Sequence, residues 1–372
     1  MGTSRPVYAL LAGGGTAGHV IPGLAVARSL VERGHPPDSL LFVGSDHGIE
    51  TELVPEAGFG FVGLPGRGLQ RRVTLANVAA VAGLLIAVVR GIALVRRTRP
   101  KVVVVVGGFA SAACTIGALL WRVPMVVTEQ NARAGAANRL AGRFAKAAAV
   151  AFPETDLPRR VVTGNPVRPE ILAADRTRDG AAARAELALP DDRTVVAVFS
   201  GSLGSRSINT AVRGLVEIWR DRGDLAIRHV VGSRDWDELG SPPDLPGDGL
   251  LYQTVRYEDH MDRLLVAADL AVTRAGGNTV AELAVVGVPA VLVPLPIAPR
   301  DHQTANAAVV LRAGGAVLVA DAELTADRLA RELQPLLDDP SRLTAMSEAL
   351  RTVAYRDAAD RVARLVEENA RA

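Results

Sequence analysis

Residues 8–26, YALLAGGGTAGHVIPGLAV, run from an apolar strand pattern through three glycines into a helical pattern containing His19 and Pro22. The same order returns at 195–212, VVAVFSGSLGSRSINTAV. Strand, glycine loop and helix in succession form the first crossover of a nucleotide-binding parallel sheet. Its duplication predicts an α/β chain with two Rossmann-like units joined near residue 165, leaving a cleft between them. Asn165-Pro166 is a candidate hinge, because proline pushes the preceding residue out of the helical region.

Alternation continues outward from both loops. Strands are predicted at 7–12, 40–44, 59–64, 102–107, 125–129 and 148–152, and again at 194–200, 226–231, 250–255, 269–273, 290–294 and 316–319. The run KVVVVVGG at 101–108 is apolar at consecutive positions, as a strand covered on both faces should be. Helices are predicted at about 21–34, 48–57, 74–97, 110–121 and 133–144, with a final helical stretch at 341–371.

Bulk properties narrow the functional classes. A chain of 372 residues, 49% apolar and 22% charged, is globular and long enough for two domains. A formal charge of only +2 supplies no broad field for nucleic acid, so none is expected as a partner. One cysteine, Cys114, excludes an intramolecular disulfide framework and fits a reducing compartment. The segment VAAVAGLLIAVVRGIALV, 78–95, is interrupted by Arg90 and followed by Arg96, Arg97 and Arg99. It reads as a helix buried on a sheet, or as one whose apolar face meets an anionic membrane surface. Both can hold for different faces.

Each polar cluster has a plain structural reading beside a chemical one. Gly13, Gly15 and Gly18 have the dinucleotide spacing, but Asp46, in VGSDHG, is poorly placed for a ribose. His19 either hydrogen-bonds the loop or serves as a base held neutral at a helix N-terminus. TEQN at 128–131 places Glu129, Gln130 and Asn131 at a strand end. Ser111 is a candidate helix cap, as are Asn278 and Thr279. SGSLGSRS, with Arg206, reads as a second anion cradle that Arg168 could reach. Glu282 is expected in the first turn of a helix, favourable to its dipole and placed to accept ribose hydroxyls. Asp301, His302, Gln303 and Asn306 either cap a helix or bind sugar hydroxyls. Asp235 and Asp237, in RDWDELG, read as charged surface loop rather than a metal site.

Together GGGTAGHVIPGLAVA, TEQNARAGAANR, TGNPVRPEI, SGSLGSRSIN, RAGGNTVAELAVVGVPAVLVPLP and DHQTANA resemble, in order and over nearly the whole chain, the MurG family of N-acetylglucosaminyltransferases. The resemblance implies a GT-B fold whose two Rossmann-like domains face across a cleft. Residues 1–165 would form the acceptor and membrane-facing domain, 166–345 the donor domain, and 346–372 a helix returning to the first. It implies inverting transfer from UDP-N-acetylglucosamine to the C4 hydroxyl of lipid-linked N-acetylmuramyl pentapeptide (lipid I to lipid II), at the cytoplasmic face of the cell membrane. No cofactor and no metal are expected. His19 would be the base, with Asn131 orienting the acceptor. Donor-binding positions carry over as Thr16, Ala17, Gly18, Asn131, Arg168, Ser202, Glu258, Gly277, Asn278, Thr279, Val280, Ala281, Glu282 and Gln303. Glu258 would mark a backbone contact to the base. Ala17 replaces the family's usual glycine, Thr128 its frequent histidine, and SGSLGS its usual GGSQGA. A methyl at Ala17 requires a negative φ there. Rival readings are another GT-B UDP-sugar transferase, a UDP-sugar 2-epimerase, an NAD(P)-dependent oxidoreductase and a non-catalytic membrane-associated scaffold.

Overall fold

The structure, a computed structural model, describes residues 6–65 and 75–372. Residue 74 of the predicted 74–97 helix lies outside the described residues, as do the side chains of 75–82 and 84. The chain divides into two compact units, one running to Arg168 and including Tyr355–Ala372, the other Pro169–Ala354.

The first unit carries strands β1 (Ala9–Gly13), β2 (Leu40–Ser45), β3 (Gly60–Leu64), β4 (Val102–Gly107), β5 (Met125–Glu129), β6 (Ala147–Val150) and β7 (Arg160–Val162). Between them lie α1 (Ala17–Glu32), α2 (Glu50–Glu56), α3 (Leu75–Thr98), α4 (Phe109–Leu120) and α5 (Ala136–Gly142). All pairings are parallel, in the order β3-β2-β1-β4-β5-β6-β7. Every residue of β4 is buried, which is why its sequence shows no alternation. β7 went unpredicted because this edge strand has three mostly exposed residues and no apolar run.

Residues 78–95 lie in α3, and from residue 85 onward this helix shows two faces. Ala87, Leu94 and Val95 are buried in the first core, while Leu85 and Val89 are 63% and 66% exposed. Close approach to α4 depends on small residues. A Cβ on Gly91 would lie 2.9 Å from Ala113 Cβ, and one on Gly117 3.1 Å from Ile92 Cα.

In the second unit come α6 (Pro169–Ala173), α7 (Arg176–Glu186), β8 (Thr194–Phe199), α8 (Arg206–Ile218), β9 (Leu225–Val230), α9 (Trp236–Leu239), β10 (Leu251–Val255) and α10 (Met261–Ala267). They are followed by β11 (Leu270–Thr273), α11 (Gly277–Val286), β12 (Ala290–Leu292), α12 (His302–Ala313), β13 (Ala316–Leu318), α13 (Ala326–Leu337) and α14 (Pro340–Thr352). The sheet order is β10-β9-β8-β11-β12-β13, again wholly parallel. Strand order therefore reverses between β1 and β4 in one sheet and between β8 and β11 in the other. Such switch points are where open α/β sheets bind ligands.

The expected helical stretch 341–371 is two helices, α14 and α15 (Ala358–Asn369). Between them Tyr355 packs on Gly164, whose φ of +79° and lack of a Cβ make the contact possible. Helix α15 buries Val362, Ala363, Leu365 and Val366 in the first unit's core. Arg33 holds it at Asp360 (2.9 Å) and Glu367 (2.6 Å).

Behind the second glycine loop lies a fully buried polar chain. His229 Nδ1 meets the Tyr252 hydroxyl at 2.8 Å and Nε2 meets Asn209 Oδ1 at 3.0 Å. Asn209 Nδ2 donates to Val231 O and Asp235 Oδ2, so its oxygen must accept from the imidazole, fixing one neutral tautomer. Burial pushes the His229 pKa down to about 3, and the Arg213 charge acts in the same direction. The unfolded chain therefore binds the extra proton first, so stability is full above about pH 6.5 and falls below it. Between pH 6.5 and 5 the parent should lose about 1–2 kcal/mol more than His229→Leu in urea unfolding. At pH 7 the variant itself should be less stable by about 2–4 kcal/mol, with two buried polar groups left unpaired.

Candidate active site

The first switch point is built by backbone crowding. Gly13 sits so close to β4 that a Cβ there would lie 2.8 Å from Val106 Cβ. Gly107 and Gly108 take φ of +127° and +88°, and a Cβ on Gly107 would meet the His19 ring at 2.7 Å. The half-buried imidazole thus lies over the end of β4, its Nδ1 3.3 Å from Gly14 O and 3.3 Å from Thr16 Oγ1. With Nδ1–H donating to the Gly14 carbonyl, Nε2 is the basic nitrogen. Burial pushes the imidazole below its ordinary value of 6.5, against the charges of Glu129 and Glu50 and the Gly14 hydrogen bond. It is neutral at pH 7. Thr16 is the N-cap of α1 in extended conformation, and Ala17 and Gly18 open the helix. Ala17 is absent from the positive-φ positions, so its methyl is accommodated.

Glu50, which no sequence motif singled out, lies beneath this loop and is only 1% exposed. Its carboxylate accepts from Gly15 N at 2.9 and 3.0 Å and from Ser45 N at 2.7 Å. The amide that a dinucleotide site would aim at a pyrophosphate is therefore committed to a carboxylate. Asp46, the acid that reading requires, instead pairs with His47 at 3.4 Å. The only signal for Glu50 was its place opening a helix just after a strand and a glycine turn.

At the end of β5, buried Glu129 accepts from Asn131 N (3.0 Å), Asn131 Nδ2 (3.2 Å), Gly135 N (3.0 Å) and Asn138 Nδ2 (2.9 Å). It orients half-buried Asn131, whose carbonyl accepts from Thr155 Oγ1 at 3.1 Å. Thr128 is buried and accepts from Gln130 Nε2 at 3.2 Å. Ser111 does not cap α4. That helix starts at Phe109 with Gly108 as its cap residue, and the hydroxyl instead joins Gly107 N (2.9 Å) to Ala12 O (2.6 Å). Arg168 is half-buried at the end of the unit.

The second switch point lies between the loops after β8 and β11. Gly201 and Gly204 have φ of +80° and +77°, and a Cβ on Gly204 would collide with Val231 O. Ser205 caps α8 through Ile208 N, and exposed Ser202 accepts from Ser233 N at 3.1 Å. Arg206 is not this loop's cation for an anion. It pairs with Glu238 at 2.6 Å and Asp235 at 3.3 Å. Asp235, read as surface charge, is buried and also accepts from Asn209.

Arg274, a residue given no role in advance, ties the strand ends together. Its guanidinium donates to Ser205 Oγ (2.6 Å), Ser207 Oγ (3.0 Å), Asp321 Oδ1 (2.5 Å) and the carbonyls of Val293 and Pro294. Helix α11 then starts at Gly277, after Gly276, with no side-chain cap. Asn278 and Thr279 lie inside its first turn and do not cap it. An uncapped first turn presents amides suited to an anion. Val280 and Ala281 continue the helix, and Glu282, 8% exposed, falls in the second turn, where the dipole argument no longer applies. Buried Ser200 Oγ and Thr273 Oγ1, at the ends of β8 and β11, have no hydrogen-bond partner among the described residues.

Gln303 Oε1 accepts from Ala275 N (3.1 Å) and Leu295 N (2.9 Å), bridging two strand ends. Asn306 is fully buried with Nδ2 on Ala275 O, so it braces the loop rather than facing a sugar. Glu258 is buried with its carboxylate held by Arg228 (2.9 and 2.8 Å), consistent with a backbone role only. Ahead of Gln303, Arg300 and Asp301 hold φ of 57° and 52°, strained for residues with a Cβ. His302 Nδ1 pairs with Pro299 O, and Thr304 Oγ1 donates to Asp301.

Comparison with known proteins agrees with this geometry. Residues 9–150 match the glycosyltransferase family 28 N-terminal domain and residues 195–362 its C-terminal domain. A UDP-N-acetylglucosamine–N-acetylmuramyl-(pentapeptide) pyrophosphoryl-undecaprenol N-acetylglucosamine transferase from Nocardioides sp. is 42% identical over 361 residues, covering 96% of each chain. The crystal structure of Acinetobacter baumannii MurG is similar with a TM-score of 0.77 at 27% identity, over 98% of this chain and 100% of that one. A UDP-GlcNAc 2-epimerase from Neisseria meningitidis shares the fold alone, with a TM-score of 0.65 at 12% identity over 97% and 100% of the two chains. The protein belongs to glycosyltransferase family 28, among the MurG-type N-acetylglucosamine transferases.

Proposed function

We infer that this chain transfers N-acetylglucosamine from UDP-N-acetylglucosamine to the C4 hydroxyl of lipid-linked N-acetylmuramyl pentapeptide, turning lipid I into lipid II. The observation that carries the donor half is the uncapped start of α11 at a sheet switch point, with Glu282 one turn further on. The diphosphate would sit on the first-turn amides of Gly277, Asn278 and Thr279, and the ribose hydroxyls would be accepted by Glu282. Unpartnered hydroxyls on Ser200 and Thr273 fit a polar ligand in the same crevice. Gln303, its oxygen committed to backbone amides, would offer Nε2 to the donor. Thr16, Ala17, Gly18, Asn131, Arg168, Ser202 and the backbone near Glu258 complete the proposed binding set.

The reaction is an in-line displacement with inversion. The C4 hydroxyl attacks the anomeric carbon of the α-linked donor, a β-1,4 bond forms, and UDP departs with the bonding electron pair. His19 Nε2 takes the hydroxyl proton, which its neutral state at pH 7 permits. Charge growing on the leaving diphosphate is met by helix amides and by Arg168.

A lipid-linked acceptor calls for membrane contact. Among the described residues no helix is long and apolar enough to cross a membrane. Val89, Ile92, Ala93 and Trp121 instead line a groove of about 450 Å³ together with Arg96, Arg97 and Arg99. Arg96 stands 5.1 Å over the Trp121 ring. Exposed apolar side chains among arginines suit an anionic headgroup layer and support the proposed peripheral contact with the cytoplasmic face of the membrane.

Incubation of radiolabelled UDP-N-acetylglucosamine with a lipid I analogue should give a labelled disaccharide lipid and UDP. Appearance of the 2-epimeric sugar instead would identify an epimerase. Glu282→Ala should weaken UDP binding by about 1–3 kcal/mol in calorimetry. His19→Ala should lower kcat by about 10²–10⁴-fold. The acid limb of the parent's kcat/KM profile should lie below pH 6.5, because burial opposes protonation of the base. In flotation with anionic vesicles, Arg90→Ala/Arg97→Ala should weaken partitioning by about 2 kcal/mol, roughly 30-fold.

A further inference from the structure

We propose that Glu50 is a positioning residue for the transfer reaction, holding the β1–α1 loop in the one turn that sets His19 against the acceptor hydroxyl. The proposal rests on the assignment of His19 as base. Glu50 touches no reacting atom in this scheme; it acts through the backbone of Gly14 and Gly15.

Three observations carry it. First, the carboxylate spans two segments that the sheet brings together. Both oxygens accept from Gly15 N, while Oε1 also accepts from Ser45 N at the end of β2. Second, the chain clears space for it. A Cβ on Gly14, Gly44 or Gly48 would collide with the carboxylate, so three glycines from three segments leave a slot for one acid. Third, the residue it restrains is the one His19 leans on. Gly14 O lies 3.3 Å from His19 Nδ1, so the position of Gly14 sets the ring's orientation and tautomer. Burial of a carboxylate is costly unless hydrogen bonds compensate it. Such a placement for loop shape alone would need no charge.

The charge has its own consequence. The acids facing the imidazole are Glu50, opening α2, and Glu129, at the end of β5, and both favour its protonated form. Together they offset part of the burial that opposes protonation. Glu50 thus helps His19 to hold the proton it has removed.

Glu50→Gln and Glu50→Asp separate shape from charge. Glu50→Gln keeps the size but turns an NH₂ group toward an amide donor and removes the charge. It should lower kcat by about tenfold or more, as a displaced catalytic group does. KM for UDP-N-acetylglucosamine should change less than kcat, since the proposed diphosphate and ribose contacts lie on α11 and outside this loop. The acid limb of the kcat/KM profile should move to lower pH, a shift that a merely structural role would not produce. Glu50→Asp keeps the charge but shortens the reach, so its kcat should fall while the acid limb stays with the parent's. A folded Glu50→Gln with parental kcat and an unmoved acid limb would overturn the proposal. Should Glu50→Gln fail to fold, parental kcat in Glu50→Asp would overturn it equally. Transfer by the parent is measured first, because its absence would remove the underlying reading, and this one with it, before any variant is compared.

Discussion

The structure depends on backbone meeting backbone where parallel strands part. At the first switch point two loops leave neighbouring strands and pass closer than side chains allow, a Cβ on Gly13 falling 2.9 Å from Gly107 O. In the second unit the loops after β8 and β9 crowd in the same way, a Cβ on Gly232 colliding with Gly204 N. Three further glycines at the loops after β1, β4 and β8, Gly15, Gly108 and Gly201, adopt positive φ. The valine- and alanine-rich strands beneath are buried on both faces and give the loops a rigid floor. Function on a parallel sheet follows from this: the carboxyl edge is the one place where amides and polar side chains converge without an obligatory partner.

The two switch points resolve the same constraint with opposite electrostatics. Under the first loop the structure places a carboxylate, Glu50, and nearby a second, Glu129, each saturated by backbone and amide donors. That environment repels phosphate and suits a base handling a neutral hydroxyl. Around the second, the acids are neutralised where they stand. Asp321 is held by Arg274, Asp235 by Arg206 and Asn209, and Glu258 by Arg228. The start of α11 is left uncapped. Duplicate folds thus present opposite charge environments beneath corresponding loops.

Much of the architecture was legible because burial on both faces writes itself as continuous apolar runs. Twelve of the thirteen strands among the described residues were predicted, the central ones from such runs, whereas β7, with exposed Arg160 and Val161, carries no such mark. The glycine loops were equally visible, since only glycine tolerates those turns. What sequence could not supply was partnership. Arg206 reads as an anion ligand until Glu238 and Asp235 are found across the loop. Asp235 reads as surface until Asn209 buries it. Ser111, Asn278 and Thr279 look like caps because of composition, yet the helices start one or two residues earlier and place them inside the first turn. Glu50 and Arg274 matter through contacts with residues far along the chain, which no local pattern encodes.

The central claim is that the second switch point, and not the first, receives the nucleotide. A crystal structure of the protein with bound UDP-N-acetylglucosamine tests it directly. The expected result is a diphosphate on the amides at the start of α11, with the ribose on Glu282 and with Gly15 still bonded to Glu50. Diphosphate density on the Gly15 amide, with the Glu50 carboxylate displaced, would contradict it.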